Sequence, residues 1–462
     1  MQHAIRIVAL TVLTACGAED KPTDTALDPS TTTSASSGTE TTTSGSTSST
    51  TGTTGGTTTT GTGTTATTGT TATGTTTSGT TSTSATTGTG TGTGTTTSTS
   101  TSTTSPSTDT TDPAVTALEE TLAELLAEAG VPGAQMALVK GGDPVWTWDY
   151  GYANQEEATP VTADTSFLLA SVSKTVTGTA LMQVYETGAF ELDDPINTHL
   201  PFDVRHPDSR AAITFRHLLT HTSGIRDNWS VMPYVAGDPT VPLGEYLQSY
   251  LVPTGDLYSR ANNFQSWGPG DGYAYSNIGI ALSGYLVESI TGVDFAQWCR
   301  ERIFTPLSME HTGWFLADLD DALVAHPHDC YYGPCETLGH YGYADYPDGL
   351  LRSSASDMAR FLAAFEQGGS LDGHVMLEEE TVNEMLRLHV PSRGQGLVWY
   401  ESERDGDWFW GHGGNDIGVA TTMQLRQRDG VGYILWMNAD PNNWARVDDA
   451  TRELLEAADS LF

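Results

Sequence analysis

From about Thr31 to Asp112 the chain is almost entirely Thr, Ser and Gly. Such a tract has almost no apolar side chain to bury and shows no helix or strand period. Burial therefore cannot offset the conformational entropy of ordering it, and the tract is expected to be disordered. That expectation confines any fold to the residues after Asp112. Order should begin near Pro113, leaving roughly 350 residues, enough for one large core or for a domain with an inserted lobe. As a flexible coil of ~80 residues the tract would span about 50 Å r.m.s., enough to act as a tether.

The residues before the tract give the tether something to hold. Met1 to Arg6 carries one positive side chain, and an apolar stretch from Ile7 to Leu13 follows, too short to span a bilayer. The run Leu13-Thr14-Ala15-Cys16-Gly17 resembles a bacterial lipoprotein signal. The resemblance implies cleavage before Cys16, lipidation of Cys16 and export to a bacterial membrane, with anchoring by lipid. An ordinary secretory peptide with a coincidental cysteine is the competing reading, and the tether-like tract favours the lipoprotein. The expected organisation is a signal over residues 1–16, a linker over 17–112 and one folded domain over 113–462.

Within that domain, Ala117, Leu118, Leu122, Leu125 and Leu126 mark an amphipathic helix ending near Gly130. Alternation in Gln135 to Val139 and in Pro144 to Trp148, split by Gly141-Gly142-Asp143, reads as a β-hairpin. Three more strand-like runs lie near the end, at Trp408 to Gly411, Gly418 to Leu425 and Val431 to Asn438, and a last helix covers Trp444 to Leu455. Strands at both ends with helices between them predict one sheet built from the two ends and a helical lobe from the middle.

Charge narrows the partners. The formal net charge is -37. Residues up to Asp112 hold seven acids and two bases, so the remaining 50 acids and 18 bases give the domain about -32. Such a surface repels nucleic acid and anionic headgroups. Cys330 and Cys335 bracket a short loop and suit a disulfide in an oxidising compartment, while Cys299 reads as a buried thiol. His326, His328 and His340 crowd the same loop and raise zinc as an alternative, but the spacing matches no common zinc pattern. No metal and no cofactor are expected. Oligomeric state stays open.

Chemistry is suggested by Phe167-Leu168-Leu169-Ala170-Ser171-Val172-Ser173-Lys174. A helical pattern follows through Ala180, Leu181, Val184 and Tyr185, with Gly188 as a stop. Ser171 and Lys174, three apart, share a helix face. A serine hydroxyl needs a neighbour to take its proton, and a lysine serves if burial or a helix N-terminus lowers its pKa. Three further runs add weight: Gly270-Asp271-Gly272-Tyr273-Ala274-Tyr275-Ser276-Asn277, opening a helix; Trp410-Gly411-His412-Gly413-Gly414-Asn415, at a strand end where small residues would let a substrate backbone approach; and Ile213 to Gly224, whose His221-Thr222-Ser223-Gly224 reads as a structural turn. Taken singly, Tyr275 also fits a core aromatic, Asn277 a helix cap and His412 a satisfied strand histidine.

Together, in this order, the runs resemble the serine β-lactamase and penicillin-binding protein superfamily, in particular the branch of class C β-lactamases, D-alanyl-D-alanine carboxypeptidases and related esterases. Gly133 to Ala137, Tyr150-Gly151-Tyr152-Ala153 and Glu191 to Pro195 extend the likeness over nearly all of the domain. The resemblance implies an α/β fold: an antiparallel sheet flanked by helices on both faces plus a mostly helical lobe, with Ser171 opening a central helix between them. It implies that Ser171 is acylated, that Lys174 accepts its proton or sets its electrostatics, and that Tyr275 relays a proton to the leaving group and activates the deacylating water. Asn277 would hold Lys174 and a substrate amide oxygen, His412, Gly414 and Asn415 would line the substrate strand, and the backbone N–H groups of Ser171 and Asn415 would form an oxyanion hole.

One departure matters. Many relatives carry Lys-Thr-Gly where this chain has His412-Gly413-Gly414, and a lysine supplies a permanent charge that a histidine lacks at neutral pH. Efficient β-lactamase action is therefore not expected. Esterase, amidase or carboxypeptidase-like action on a small-molecule or peptide substrate through an acyl-enzyme is. The alternatives are a non-catalytic protein that holds cell-wall peptides or a protein partner in the cleft, and an acyltransferase with a non-water acceptor. Acyl specificity is expected to lie in loops such as Ser230 to Arg260 and the cysteine loop.

Overall fold

The computed structural model describes residues 112–330 and 333–462; the lipidation expected at Cys16, the signal and the linker lie outside the described residues. A seven-stranded antiparallel sheet runs in the order Tyr400–Arg404, Asp407–Asp416, Val419–Arg426, Gly432–Met437, Gly133–Lys140, Asp143–Asn154, Thr159–Pro160. Its centre joins the two ends of the domain: Ala134 pairs with Met437 and Val139 with Gly432. The hairpin turns at Gly141 and Gly142, both at positive φ (66° and 84°), where a side chain would be strained.

Period-two alternation divides the core. Met136 and Leu138 point to one face with Leu435 and Met437, while Ala137 and Val139 point to the other with Ile434 and Trp436. The first face is covered by the terminal helices, Pro113–Ala129 and Trp444–Ser460. Leu122 and Leu126 of the first and Leu454 of the second are fully buried there, each contributing roughly 2–3 kcal/mol by its removal from water. Asp112 caps the first helix, accepting from Ala114 N at 2.8 Å, and Gly130 ends it at φ 75°.

The second face carries the site. Helix Ser173–Glu186 lies within the larger core, together with Asn277–Thr291 and Ala355–Glu366. Ser173–Glu186 is buried almost all round, which explains its polar residues. Thr175 and Thr179 return their hydroxyls to the carbonyls of Val172 and Thr175, both at 2.8 Å, and Thr177 donates to Pro347 O at 2.5 Å. The expected fold class holds, with two adjustments. Strand Asp407–Asp416 runs straight through His412-Gly413-Gly414 instead of ending before it, because Val419–Arg426 pairs along its length (His412 with Met423, Gly414 with Thr421). The α-helix begins at Ser173, and Ser171 sits in a preceding 3-10 turn, Ala170–Val172. Among the described residues no single helix is long and apolar enough to cross a membrane.

Cys330 and Cys335 are joined by a disulfide across the turn between strands His328–Asp329 and Glu336–Thr337. Two of the three neighbouring histidines are engaged with backbone: His326 Nδ1 with Leu338 O at 2.9 Å, His328 with Asn438 O and Gln155 N. Cys299 is a buried free thiol whose pKa burial pushes up.

Candidate active site

The turn carrying Ser171 is fixed from several sides. Leu169 N donates to Leu351 O at 2.8 Å, and Leu169 O accepts from Thr421 Oγ1 at 2.7 Å. Ala170 is held at φ 47°, a left-handed conformation that costs a non-glycine residue about 1 kcal/mol or more. The strain is stored immediately before the serine. Gly414 belongs to this arrangement: a Cβ there would lie 2.2 Å from Thr421 Oγ1 and 2.4 Å from Leu169 O. The glycine is required because the strand presses on the nucleophile turn, a constraint that the local sequence does not show. At Gly413 the nearest atom to such a Cβ is Thr421 O, 3.8 Å away.

Ser171 Oγ receives two hydrogen bonds, from Lys174 Nζ at 3.0 Å and from Tyr275 OH at 2.9 Å. Lys174 is 1% exposed, donates also to Asp348 O at 2.6 Å, and places Nζ 5.0 Å from the Tyr275 ring centroid. Lys174 would serve as the base on the condition of a lowered pKa, and its surroundings act the other way. Burial does push it down, but the facing Tyr275 hydroxyl and the Asp348 and Asp227 carboxylates outweigh burial and raise it. The resting side chain is an ammonium. For Tyr275, burial raises the pKa and the Lys174 charge opposes the rise. The pair thus combines a fixed cation with a phenol whose ionisation that cation favours, and both touch the hydroxyl to be activated.

Tyr275 is delivered by the His221–Gly224 segment, which acts as the structural turn expected of it. His221 O accepts from Ala274 N at 2.9 Å, its Nδ1 accepts from Ser276 N at 3.2 Å, and its ring lies 4.4 Å from that of Tyr275. Burial first, then Lys174 and His412, hold His221 well below the usual histidine pKa, so it is neutral.

Helix Asn277–Thr291 is capped by Ser276, whose Oγ accepts from Gly279 N at 3.0 Å, and by the Asp227 carboxylate, which accepts from Asn277 N (2.9 Å) and Ile278 N (3.1 Å). Asn277 is therefore neither the cap nor the partner of Lys174. Among the described residues no hydrogen bond joins the two, and Asp348 O holds the ammonium instead. Asn277 lines the cleft, as do Ser171 and Asn415; the Asn415 amide donates to Asp440 at 3.4 Å. His412 is buried beside the site and engages Gly413 O at 2.6 Å. Burial and the Lys174 charge press its pKa down to about 3, leaving it without charge at neutral pH.

The opposite wall is invisible to sequence reasoning. Trp229, Met232, Tyr234 and Tyr343 form its apolar part, and Asp345, Asp348 and Asp416 its acidic part. Met232 and Tyr234 come from the expected specificity loop; Cys330 and Cys335 do not line the cleft. Tyr346-Pro347-Asp348-Gly349 looks in sequence like a turn and nothing more, and only folding brings it to the serine.

Residues 118–458 match the Beta-lactamase family. A β-lactamase of Yersinia enterocolitica is 29% identical over 287 residues, 62% of this chain and 68% of the relative. Penicillin-binding protein 4 of Amycolatopsis lactamdurans is 27% identical over 355 residues, 73% of this chain and 88% of the relative. The crystal structure of a penicillin-binding protein from Bacillus halodurans aligns over 74% of this chain and 99% of its own, at 25% identity and TM-score 0.58. A D-amino acid amidase from Ochrobactrum anthropi SV3, complexed with L-phenylalanine, shares the fold at 22% identity and TM-score 0.60, over 74% of this chain and 99% of its own.

Proposed function

The chain belongs to the Beta-lactamase family, and from that premise we propose that it is a serine hydrolase that cleaves an ester, amide or D-peptide bond through an acyl-enzyme on Ser171. The observation that carries the reading is the double hydrogen bond from Lys174 and Tyr275 to one serine hydroxyl. In this mechanism Tyr275 acts in its ionised form, which the Lys174 charge favours, and accepts the Ser171 proton as Oγ attacks the carbonyl carbon, while Lys174 stays an ammonium. Tyr275 returns a proton to the leaving group and later draws one from the deacylating water. The N–H groups of Ser171 and Asn415 donate to the developing oxyanion.

A neutral His412 in place of a permanent cation weighs against efficient β-lactamase action, because a substrate carboxylate finds no fixed charge there. Export and a lipid anchor at Cys16 complete the reading. The signal-like start supports them, and the Cys330–Cys335 disulfide suits an oxidising compartment. Membrane fractionation checks this part: Cys16→Ser is expected to leave the membrane fraction, and retention there would refute the anchor.

Intact-mass spectrometry with a fluorophosphonate and with penicillin, beside Ser171→Ala, tests the chemistry. A single fluorophosphonate adduct, absent in Ser171→Ala, is expected. A penicillin adduct as well would indicate a peptidase-like or lactamase-like pocket, and its absence an esterase. No adduct from either reagent on folded protein would refute the hydrolase and favour a cleft that only binds.

A further inference from the structure

Asp345 and Asp348 are 2% and 4% exposed and line the cleft that holds Ser171. Among the described residues neither forms an ion pair within 4.0 Å. Asp348 Oδ1 is buried with no hydrogen-bond partner at all. Lys174 acts on both acids through its charge but gives Asp348 Oδ1 no hydrogen bond, its own going to Ser171 Oγ and the Asp348 main-chain carbonyl. The nearby Asp227 is satisfied by the N-terminus of helix Asn277–Thr291. An uncompensated buried carboxylate is costly, and two sharing a wall are costlier.

The rest of the wall suits a cation. Asp416 accepts from Tyr234 OH (2.8 Å) and Tyr343 OH (3.2 Å), and the two tyrosine rings stand perpendicular with centroids 5.6 Å apart. Trp229, 58% exposed, sits at the mouth. Aromatic faces beside carboxylates attract ammonium groups. A neutral ligand would leave Asp348 Oδ1 unanswered. An anionic one would meet three carboxylates, with Lys174 already engaged and His412 neutral. Burial, with the neighbouring Asp345 and Asp227 carboxylates, pushes Asp348 upward, and burial above all brings Asp345 up to about 7, so the opposing Lys174 charge does not offset the burial of either acid.

We infer that the cleft selects a substrate bearing an ammonium group, seated between Asp345, Asp348 and the aromatic rings of Trp229, Tyr234 and Tyr343 while its carbonyl meets Ser171. The substrate class is thereby an amine-bearing amide or ester. This inference rests on the hydrolase reading for the reaction but not for the binding, so binding is what tests it.

Isothermal titration of the full-length protein with benzylammonium, benzyl alcohol and benzoate compares one ring carrying three charges. Benzylammonium is expected to bind about tenfold or more tighter than benzyl alcohol, with benzoate weakest. Asp348→Asn is expected to bring the first two towards parity, and Asp345→Asn gives a second reading should the first variant fail to fold. Parity in the native protein, preference for benzoate, or no measurable binding of benzylammonium would overturn the inference. A fluorophosphonate adduct without a cation preference removes this inference and leaves the hydrolase. A cation preference without an adduct does the reverse.

Discussion

Two buried cations in this domain have opposite surroundings. Arg426, at the edge of the face under the terminal helices, is 2% exposed and fully paired. Its Nε and Nη2 meet Asp429 at 2.8 and 2.9 Å, Nη1 reaches Asp459 at 3.2 Å, and Asp407 stands at 3.6 Å. Those carboxylates stay partly in water, and Arg426 holds Asp459 below the usual carboxylate range. Lys174 is as deeply buried, yet no carboxylate comes within 4.0 Å of its ammonium among the described residues. Its hydrogen bonds go to a serine hydroxyl and a backbone carbonyl, and the acids around it are themselves buried and shifted upward. A bidentate, water-backed pair closes on itself and stabilises the fold. An ammonium left unpaired among buried acids keeps its field available to whatever enters the cleft.

The largest break in this contrast is Lys174→Ala. Removing the cation takes away one of the two hydrogen bonds to Ser171 Oγ and the charge that favours ionisation of Tyr275. The rate of fluorophosphonate labelling is expected to fall by about 10³-fold or more, with circular dichroism unchanged. Labelling at the native rate would mean that Tyr275 alone activates the serine.

The two clusters also respond to pH with opposite sign. Asp459 has a depressed pKa in the folded state, so its contribution is present above its unfolded value and lost as pH falls. Asp345 is raised to about 7 by burial. Its contribution is complete below the unfolded value near 4 and lost as pH rises through about 7, amounting to about 4 kcal/mol at most. The domain should therefore lose stability from both ends. Calorimetric Tm across the pH range is expected to show Arg426→Leu lowering stability by about 2–3 kcal/mol and flattening the acid limb. Asp345→Asn should flatten the decline between about pH 4 and pH 7. The same profile in both variants would erase the distinction between a structural and a working cluster.

Much of the catalytic cluster, and little of its surroundings, is legible in the sequence. Ser171 and Lys174 are one helical turn apart, and Tyr275 sits in a short run beside a helix start, so local spacing exposes all three. The hairpin and the last strands are legible because period two persists where one sheet face is always buried. The hidden features depend on distant contacts. Asp348 is 174 residues from Lys174, in a turn whose sequence advertises only a turn. The raised pKa of Lys174 follows from Tyr275 first and then from Asp348, both distant in sequence, and no local reading contains it. Asn277 is not the helix cap because Ser276 and Asp227, the latter 50 residues away, take that place. Gly414 reads locally as room for a substrate, whereas its constraint comes from Leu169 O and Thr421, on two other segments.

Gly414 provides the smallest test and the sharpest, because it moves the nucleophile without touching a charge. A methyl group there would lie 2.2 Å from Thr421 Oγ1 and 2.4 Å from Leu169 O, the two atoms whose 2.7 Å hydrogen bond pins the serine turn. One of them must shift. Leu169 is followed directly by Ala170, already strained at φ 47°, and by Ser171, so displacement passes straight to the hydroxyl. Gly414→Ala is expected to slow labelling of Ser171 by about 10–100-fold and to cost about 1–3 kcal/mol of stability from overpacking. Gly413→Ala, in the same strand with its nearest obstacle 3.8 Å away, should do neither. Equal effects of the two substitutions would mean that the sheet does not position the nucleophile, and that the contrast between the clusters rests on charge alone.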